Sequence, residues 1–552
     1  MEKLQNLLIV NRGEIAVRIC RTAKKLGIKT IALYSEVDVA SSHVRDADEA
    51  VLLPGSNATA YTDTKVILKI AKERDADAII PGYGFLSENA AFARQVSEAG
   101  LVWVGPSPEA IEAFGVKHSA RDLASKAGVP IVPGSSGLVK DEEEAASEAE
   151  RIGFPVMLKA TGGGGGMGLV TCKTLEEVRD GFKVVQSRGQ SLFKNPGVFI
   201  EKYFPSSHHI EVQVFGNCLG QAIHFGEREC SIQRRHQKFI EECPSPFVES
   251  HPELRHKLVE AAVRLSESIQ YESAGTVEYF VDDRTGDFFF LEMNTRLQVE
   301  HGITELCYSV DLVELMLRQA DAQSAGKGGI QGSILEQMQP STPSGAAIEA
   351  RVYTENPLRD YAPSPGLLQE VEWKDIPGSR VDTWVFTGSR ITTNYDPLIA
   401  KAMVHSQSRN ETISRLKELL RTSSISGPPT NMEFLVHILD DHRFTSGDTK
   451  TSFLDDFDFA PHAIDVISAG AYTLIQDLPG RPTVGKGIPH SGPMDPMSFQ
   501  IANMLVGNPR GTEGLEITLS GPELRFVRPA IVALCGTPME ATLDGGEFSD
   551  VD

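Results

Sequence analysis

No apolar run in this chain is long enough to cross a bilayer, and no pair of cysteines has the spacing of a zinc ligand set or a redox C-x-x-C motif. Seven cysteines, an odd number, are scattered over 552 residues, which points to reduced thiols in a cytosol-like compartment rather than a disulfide framework. Positive charge is scarce. Lys and Arg total 53 against 75 Asp and Glu, a net charge of −22, so long-range electrostatics repel nucleic acid and anionic membranes, and neither is expected as a partner. The opening Met1-Glu2-Lys3-Leu4 holds no apolar signal segment, so a cytoplasmic location is expected. Two nucleotide signatures are also missing. The turn after the first strand, Asn11-Arg12-Gly13-Glu14, lacks the three glycines of a dinucleotide fold, and G-x-x-x-x-G-K-[ST] occurs nowhere.

The length requires several domains, because single cores stop growing near about 250–300 residues. Leu7–Val10, a helical pattern through Ile15, Val17, Ile19, Ala23 and Leu26, and Thr30–Tyr34 open as a βαβ unit. Ala78–Pro81 and Leu101–Val104 continue it, giving one doubly wound α/β domain over residues 1–115. Residues 116–322 follow as a second domain. Gln323–Ser344, rich in Gly, Ser, Gln and Pro, reads as a long connection. Residues 345–456 read as a smaller α+β domain, with a helix over Glu411–Arg421 that puts Ile413, Leu416, Leu419 and Leu420 on one face. Residues 463–552, with short apolar runs at Tyr472–Ile475 and Ala530–Leu534, read as a partial β-rich domain. The fold class is thus a multidomain α/β and α+β chain.

Three stretches carry chemistry. Strand-like Val156–Ala160 and Leu169–Cys172 flank Thr161, the five glycines Gly162–Gly166, and Met167-Gly168. Glycines let successive backbone amides close around phosphate oxygens, and Lys159 adds a point charge beside them; a flexible hairpin tip is the plainer alternative. Thr276–Val281, a turn over Asp282–Asp287, and an alternating strand over Phe288–Glu300 form a hairpin. Glu292, Asn294, Arg296, Gln298 and Glu300 then share one face. A turn centred on Thr285 sets Glu278 opposite Glu292, a repulsive pair unless a cation lies between them. An amphipathic strand wetting its polar face is the alternative. Cys230–Lys238, containing Gln233, Arg234, Arg235, His236 and Lys238, concentrates positive charge as an anion site or a solvated loop. Cys230 itself reads as a buried structural thiol.

At these residues the sequence resembles the biotin carboxylase family of ATP-grasp ligases. The resemblance rests on Asn11–Ala16, Pro81–Asn89, Gln233–Lys238, Glu292–His301 and Tyr395–Lys401, and spans about residues 4–455. It implies that ATP is held by Lys117, Lys159, Gly164, Gly165, Gly166, Glu201, Lys202, Phe204, His209, Gln233, His236 and Phe280. It also implies Mg²⁺ or Mn²⁺ on Glu278, Glu292 and Asn294, and bicarbonate on Lys238, Arg296, Gln298, Val299 and Glu300. Tyr83 and Arg351 would meet biotin, Arg351 stabilising its enolate oxygen. Glu300 would be the base, with Lys238, Arg296 and Arg351 completing the catalytic set. Bicarbonate would attack the γ-phosphate of ATP, expelling ADP, to give carboxyphosphate, which would release CO₂ and a basic phosphate that takes the ureido proton of biotin. Members often have Arg after the glycine run and His where Ile80 stands. This chain has Met167-Gly168-Leu169, as the urea carboxylase branch does. Thr473–Arg481, Pro489–Asp495 and Ala502–Asn508 resemble the start of that branch's carboxyltransferase domain. No Met-Lys-Met biotin-attachment motif occurs, so carrier and transferase are expected to be supplied elsewhere; a homo-oligomer is compatible with the resemblance. The rival expectations are the biotin carboxylase of a pyruvate or acyl-CoA carboxylase, another ATP-grasp ligase such as a carboxylate–amine ligase, and a truncated non-catalytic paralogue.

Overall fold

Short apolar runs separated by amphipathic helices build the first layer. In the computed structural model, which describes residues 3–160, 168–193, 195–235, 237–339, 342–480, 487 and 489–547, these runs are β1 (Asn6–Ile9), β2 (Lys29–Tyr34), β3 (Glu49–Leu52), β4 (Ala78–Ile80) and β5 (Val102–Trp103). They pair in parallel in the order β3-β2-β1-β4-β5, with Leu8 opposite both Ile31 and Ile79. The strand order reverses between β1 and β4, so the crevice beyond their carboxyl ends is where an open α/β sheet takes ligands. Both adjoining motifs lie there. Asn11 Nδ2 donates to the carbonyls of Pro81 and Tyr83, each at 2.6 Å, and stitches the two turns together. Gly82 sits at φ +65°, and a Cβ there would lie 2.8 Å from Ile15 Cγ1.

A second, three-stranded antiparallel sheet has the order β7-β6-β8, from β6 (Val156–Ala160), β7 (Leu169–Cys172) and β8 (Val198–Lys202). Val156, Leu158, Val198 and Ile200 pack with Phe182 and Val185 of the helix Leu175–Phe193. The glycine run between β6 and β7 lies outside the described residues.

The largest layer is an eight-stranded antiparallel sheet: β9 (Ser207–Asn217), β10 (Ala222–Arg234), β11 (Gln237–Cys243), β12 (Glu272–Asp282), β13 (Phe288–Asn294), β14 (Ala346–Tyr353), β15 (Ser379–Thr383) and β16 (Leu398–Ser406). Its order is β13-β12-β9-β10-β11-β14-β16-β15. Period-two alternation gives it an apolar face, where Ile210, Val212, Val277, Tyr279 and Val281 cluster with Leu254, Leu258 and Leu265 of the helix Pro252–Ser268. The other face is polar. The sheet also runs across the connection at 323–344, since β14–β16 extend strands that precede it.

Three expectations need correcting. The strand expected over Phe288–Glu300 ends at Asn294, and residues 295–300 turn into the helix His301–Tyr308. Leu297 is the cause: it is fully buried in a cluster with Ile9, Ile15 and Phe215, which draws the chain off the sheet. The connection Gln323–Ser344 contains the helix Gly332–Met338, anchored by the buried Leu335. Ala530–Leu534 forms no strand, and Ile531, Val532 and Leu534 are exposed. The helix expected over Glu411–Arg421 spans Arg409–Thr422, with its four apolar residues buried.

The chain divides into two compact units, residues 1–457 and 458–552. The second pairs Ile464–Ser468 with Glu523–Phe526 and Tyr472–Gln476 with Gly514–Thr518. It also holds the helix Pro496–Leu505, capped by Asp495 Oδ1 accepting from the amides of Met497 and Ser498. Among the described residues, no helix is long and apolar enough to cross a membrane.

Candidate active site

The polar face of the large sheet is assembled in rows by cross-strand register. Arg228, Glu211, Glu278 and Glu292 stand side by side on β10, β9, β12 and β13. The pairing of Glu278 with Glu292 is the one expected from the sequence; a bulge then shifts the register so that Tyr279 faces Phe290. Gln213, Thr276 and Asn294 form the next row on one side, and His209, Phe280 and Phe289 the row on the other.

Three carboxylates in one row repel unless cations are placed among them. Arg228, fully buried, gives Glu211 Oε1 a 2.6 Å ion pair and donates to Gln213, Thr304 and Gln298 at 2.8–2.9 Å. Lys238 on β11 lies 2.8 Å from Glu211, 2.6 Å from Glu300 and 3.7 Å from Glu278. His209 Nε2 is 2.8 Å from Glu278 Oε2, while Asn294 and Gln298 both donate to Glu278 Oε1 at 2.7 Å. Burial by itself would raise the Glu278 carboxyl, but Lys238 and His209 hold it well below the usual carboxylate range. Burial likewise opposes charge on His209, and Glu278 overrides it, raising the imidazole pKa.

Glu300 sits at the centre. It is 2% exposed, with Lys238 on Oε1 and Arg351 of β14 on Oε2 at 2.9 Å. Burial would raise its carboxyl, yet Lys238, Arg351 and Arg228 hold it well below the usual range, so it is ionised. Arg351 also faces Glu241 at 2.5 Å. Burial pushes Glu241 up to about 7 despite that contact. Arg296 stands at the edge of the cluster: it donates to Asn294 Oδ1 at 2.8 Å and reaches Glu88, 3.1 Å away in the Pro81–Asn89 motif. Burial pushes the Cys230 thiol well above its ordinary value, in keeping with a buried structural thiol.

A second group lies on the three-stranded sheet. Lys159 and Arg121 both pair with Glu201. Lys202 directs its ammonium to the carbonyls of Gly153 and Phe154, at 2.9 and 2.7 Å. Phe204 stacks on Phe289 with centroids 5.0 Å apart, next to Phe280 in the register. Gln233 lies 3.3 Å from His209 Nδ1. Tyr83 gives its hydroxyl to Glu14 in the first layer. Gly164, Gly165, Gly166 and His236 lie outside the described residues. Lys117 opens the helix Lys117–Lys126, and its side chain also lies outside them.

The structure therefore brings His209, Lys238, Glu278, Asn294, Gln298, Glu300 and Arg351 into one network. Glu292 faces Glu278 but is exposed at the sheet's edge. Sequence reasoning passed over Glu211, Arg228 and Glu241. His209-Ile210-Glu211-Val212-Gln213 alternates as cleanly as the second hairpin and could have revealed Glu211; nothing local marks Arg228. The donor set suits a hard divalent cation, because Glu278, Glu292 and Asn294 offer oxygen donors on adjacent rows of one face. Ligand atoms of His209, Glu211 and Glu278 also lie within 4.8 Å of one another, but the Lys238 ammonium already lies against both carboxylates.

Comparison with known proteins matches residues 3–111 to the biotin carboxylase N-terminal domain and 116–326 to the ATP-binding domain of the carbamoyl-phosphate synthase L chain. Residues 349–456 match the biotin carboxylase C-terminal domain, and 486–551 match subdomains A and B of a carboxyltransferase domain. A putative urea carboxylase of Emericella nidulans is 66% identical over 544 residues, 99% of this chain and 44% of that protein. The chain thus spans less than half of that relative. Biotin carboxylase 1 of Bacillus subtilis is 42% identical over 456 residues, 82% of this chain and 99% of that protein. The biotin carboxylase domain dimer of Hydrogenobacter thermophilus 2-oxoglutarate carboxylase, solved with MgADP, ADP and bicarbonate, superposes with a TM-score of 0.75 at 38% identity, covering 84% of this chain and all of that one.

Proposed function

The chain belongs to the biotin carboxylase family, and from that premise we propose that residues 1–457 catalyse ATP-dependent carboxylation of biotin by bicarbonate, the first half-reaction of a urea carboxylase. The observation that carries this reading is Glu300, an ionised, buried carboxylate held between Lys238 and Arg351, with the same Lys238 ammonium 3.7 Å from Glu278. In this reading Lys159, Glu201, Lys202, Phe204, His209, Gln233 and Phe280 hold ATP. Lys117, Gly164–Gly166 and His236 join them on the strength of the resemblance. Glu278, Glu292 and Asn294 hold Mg²⁺ or Mn²⁺, which neutralises charge developing on the phosphates when bound.

Lys238, Arg296, Gln298 and the Val299 backbone orient bicarbonate toward the γ-phosphate. Glu300 takes the bicarbonate proton. A carboxylate so strongly stabilised is a weak base, and a bicarbonate anion that draws Lys238 to itself makes Glu300 a stronger one at the moment of use. Arg351 and Tyr83 lie on the biotin side, where the guanidinium stabilises enolate charge on the ureido oxygen. Every position with a described side chain holds a residue able to do its work, which argues against a non-catalytic relic.

The test is phosphate release. It should need bicarbonate and Mg²⁺ and rise with free biotin, and release indifferent to bicarbonate depletion would sink the proposal. Urea is the proposed final acceptor, from Met167-Gly168-Leu169, the Pro489–Asp495 segment and the 66% identical relative. Residues 1–552 contain no Met-Lys-Met, so the assay supplies a biotinylated carrier and transferase separately and follows labelled bicarbonate into acid-labile allophanate. Label passing instead to pyruvate or an acyl-CoA keeps the family and removes the urea branch.

A further inference from the structure

The Tyr395–Lys401 motif has so far received no role. Its last residue, on β16, is a lysine with no exposed surface. A lysine taken fully out of water is costly unless acceptors surround the ammonium, and a packing role alone would be met by Leu or Met. The Lys401 ammonium donates to the backbone carbonyl of Val299 at 2.8 Å, the residue immediately before Glu300. It lies 3.3 Å from Glu14 Oε2 and 3.9 Å from Asp382 Oδ2. Asp382 already has Arg380 at 2.6 Å and Arg21 at 3.0 Å, so the ammonium's own partners are Val299 and Glu14. The other oxygen of Glu14 accepts the Tyr83 hydroxyl.

A continuous path results: Tyr83 hydroxyl, Glu14 carboxylate, Lys401 ammonium, Val299 carbonyl, Glu300. It joins the crevice of the parallel sheet to the turn that left the strand at Asn294. That turn has no sheet hydrogen bonds of its own, and Lys401 holds it at the peptide next to the base. We propose that Lys401 is a positioning residue that fixes the Val299–Glu300 turn and ties it to Glu14 and Tyr83, so that the bicarbonate side and the biotin side of the site are set together. The inference rests on the function proposed above for what the turn does, but the holding of the turn can be measured without catalysis.

The experiment compares wild type with Lys401→Met, which keeps the length and removes the charge. Amide exchange over residues 298–301 should speed up about tenfold or more, the size expected for losing a charge-assisted hydrogen bond, while β12 and β13 keep their protection. In steady-state assays KM for bicarbonate should rise about tenfold and KM for ATP stay within about twofold, because only the turn has moved. Unchanged exchange in a folded variant overturns the proposal, and so do KM values for ATP and bicarbonate that shift together. Should Lys401→Met fail to fold, Glu14→Gln keeps an acceptor for Tyr83 and removes the charge that seats the ammonium. It should loosen the same amides and raise KM for free biotin, and unchanged amide exchange in the folded variant refutes the idea. If wild type shows no bicarbonate-dependent ATP cleavage, the functional reading fails while the exchange result still decides the role of Lys401.

Discussion

Glu300 shows how several cations acting on one group decide its chemistry. Left alone, a carboxyl buried to 2% exposure would hold its proton; Lys238 at 2.6 Å and Arg351 at 2.9 Å reverse that. An amide in its place keeps the shape and some hydrogen bonds but can neither take a proton nor neutralise its neighbours. Glu300→Gln should therefore lower bicarbonate-dependent turnover by about 10²–10⁴-fold, the usual contribution of a general base, with nucleotide affinity within about threefold of wild type. Turnover is read by phosphate release and affinity by nucleotide titration. A collapse of nucleotide affinity would move Glu300 from the base role to a structural or metal-holding one.

β12 carries a different buried acid at its start. Glu272 is 8% exposed and has Gln319 Nε2 at 3.5 Å, a weak donor. Burial pushes its carboxyl up to about 7. Because the folded pKa lies above the unfolded one, the folded chain binds this proton more tightly. The resulting stabilisation is full below the unfolded pKa of 4.5 and is lost progressively as pH rises to about 7, a total of roughly 3 kcal/mol. Glu272→Gln removes that loss and keeps an acceptor for Gln319. Its melting temperature should exceed wild type at about pH 8.5, exceed it by less at about pH 5.5, and match it at about pH 3.5, below the unfolded pKa. A difference that does not grow with pH would mean the carboxyl is already relieved by water. On the neighbouring β13, the buried Leu297 ends the strand six residues earlier than its alternation implies.

Across the whole molecule, buried ion pairs join segments far apart in sequence. Arg18 of the first layer meets Glu305 at 2.7 Å and Asp311 at 2.8 Å, and Arg380 meets the other oxygen of Glu305 at 2.7 Å. The large sheet draws its strands from both sides of the 323–344 connection, so every residue assigned to the half-reaction lies in the unit spanning residues 1–457. The Bacillus subtilis relative aligns over 456 residues, 99% of its own length, close to the size of this unit. Residues 1–457 alone should thus fold cooperatively and keep bicarbonate-dependent ATP cleavage within about threefold of the 552-residue chain. Loss of cleavage in a folded product would assign residues 458–552 a part in the site.

Features set by neighbours in sequence were readable from the residues. Apolar runs and amphipathic spacing placed β1, β4, β6 and β7, because side-chain period and turn residues are local properties. The same reasoning set Glu278 opposite Glu292, since a short turn fixes the register of the hairpin it closes. The long motifs identified the family and named most of the polar network. Tertiary structure decided the rest. Alternation at period two cannot tell a strand from a turn whose apolar residue docks elsewhere, so Arg296–Glu300 left the sheet when Leu297 found the core of another layer. It cannot show which cation neutralises which carboxylate either. Lys238, Arg228, Arg351 and Lys401 stand on β11, β10, β14 and β16, and only the order of those strands brings their charges to Glu211, Glu278, Glu300 and Glu14. The strength of those pairs comes from exclusion of water, and burial is a property of the packed chain rather than of any one segment.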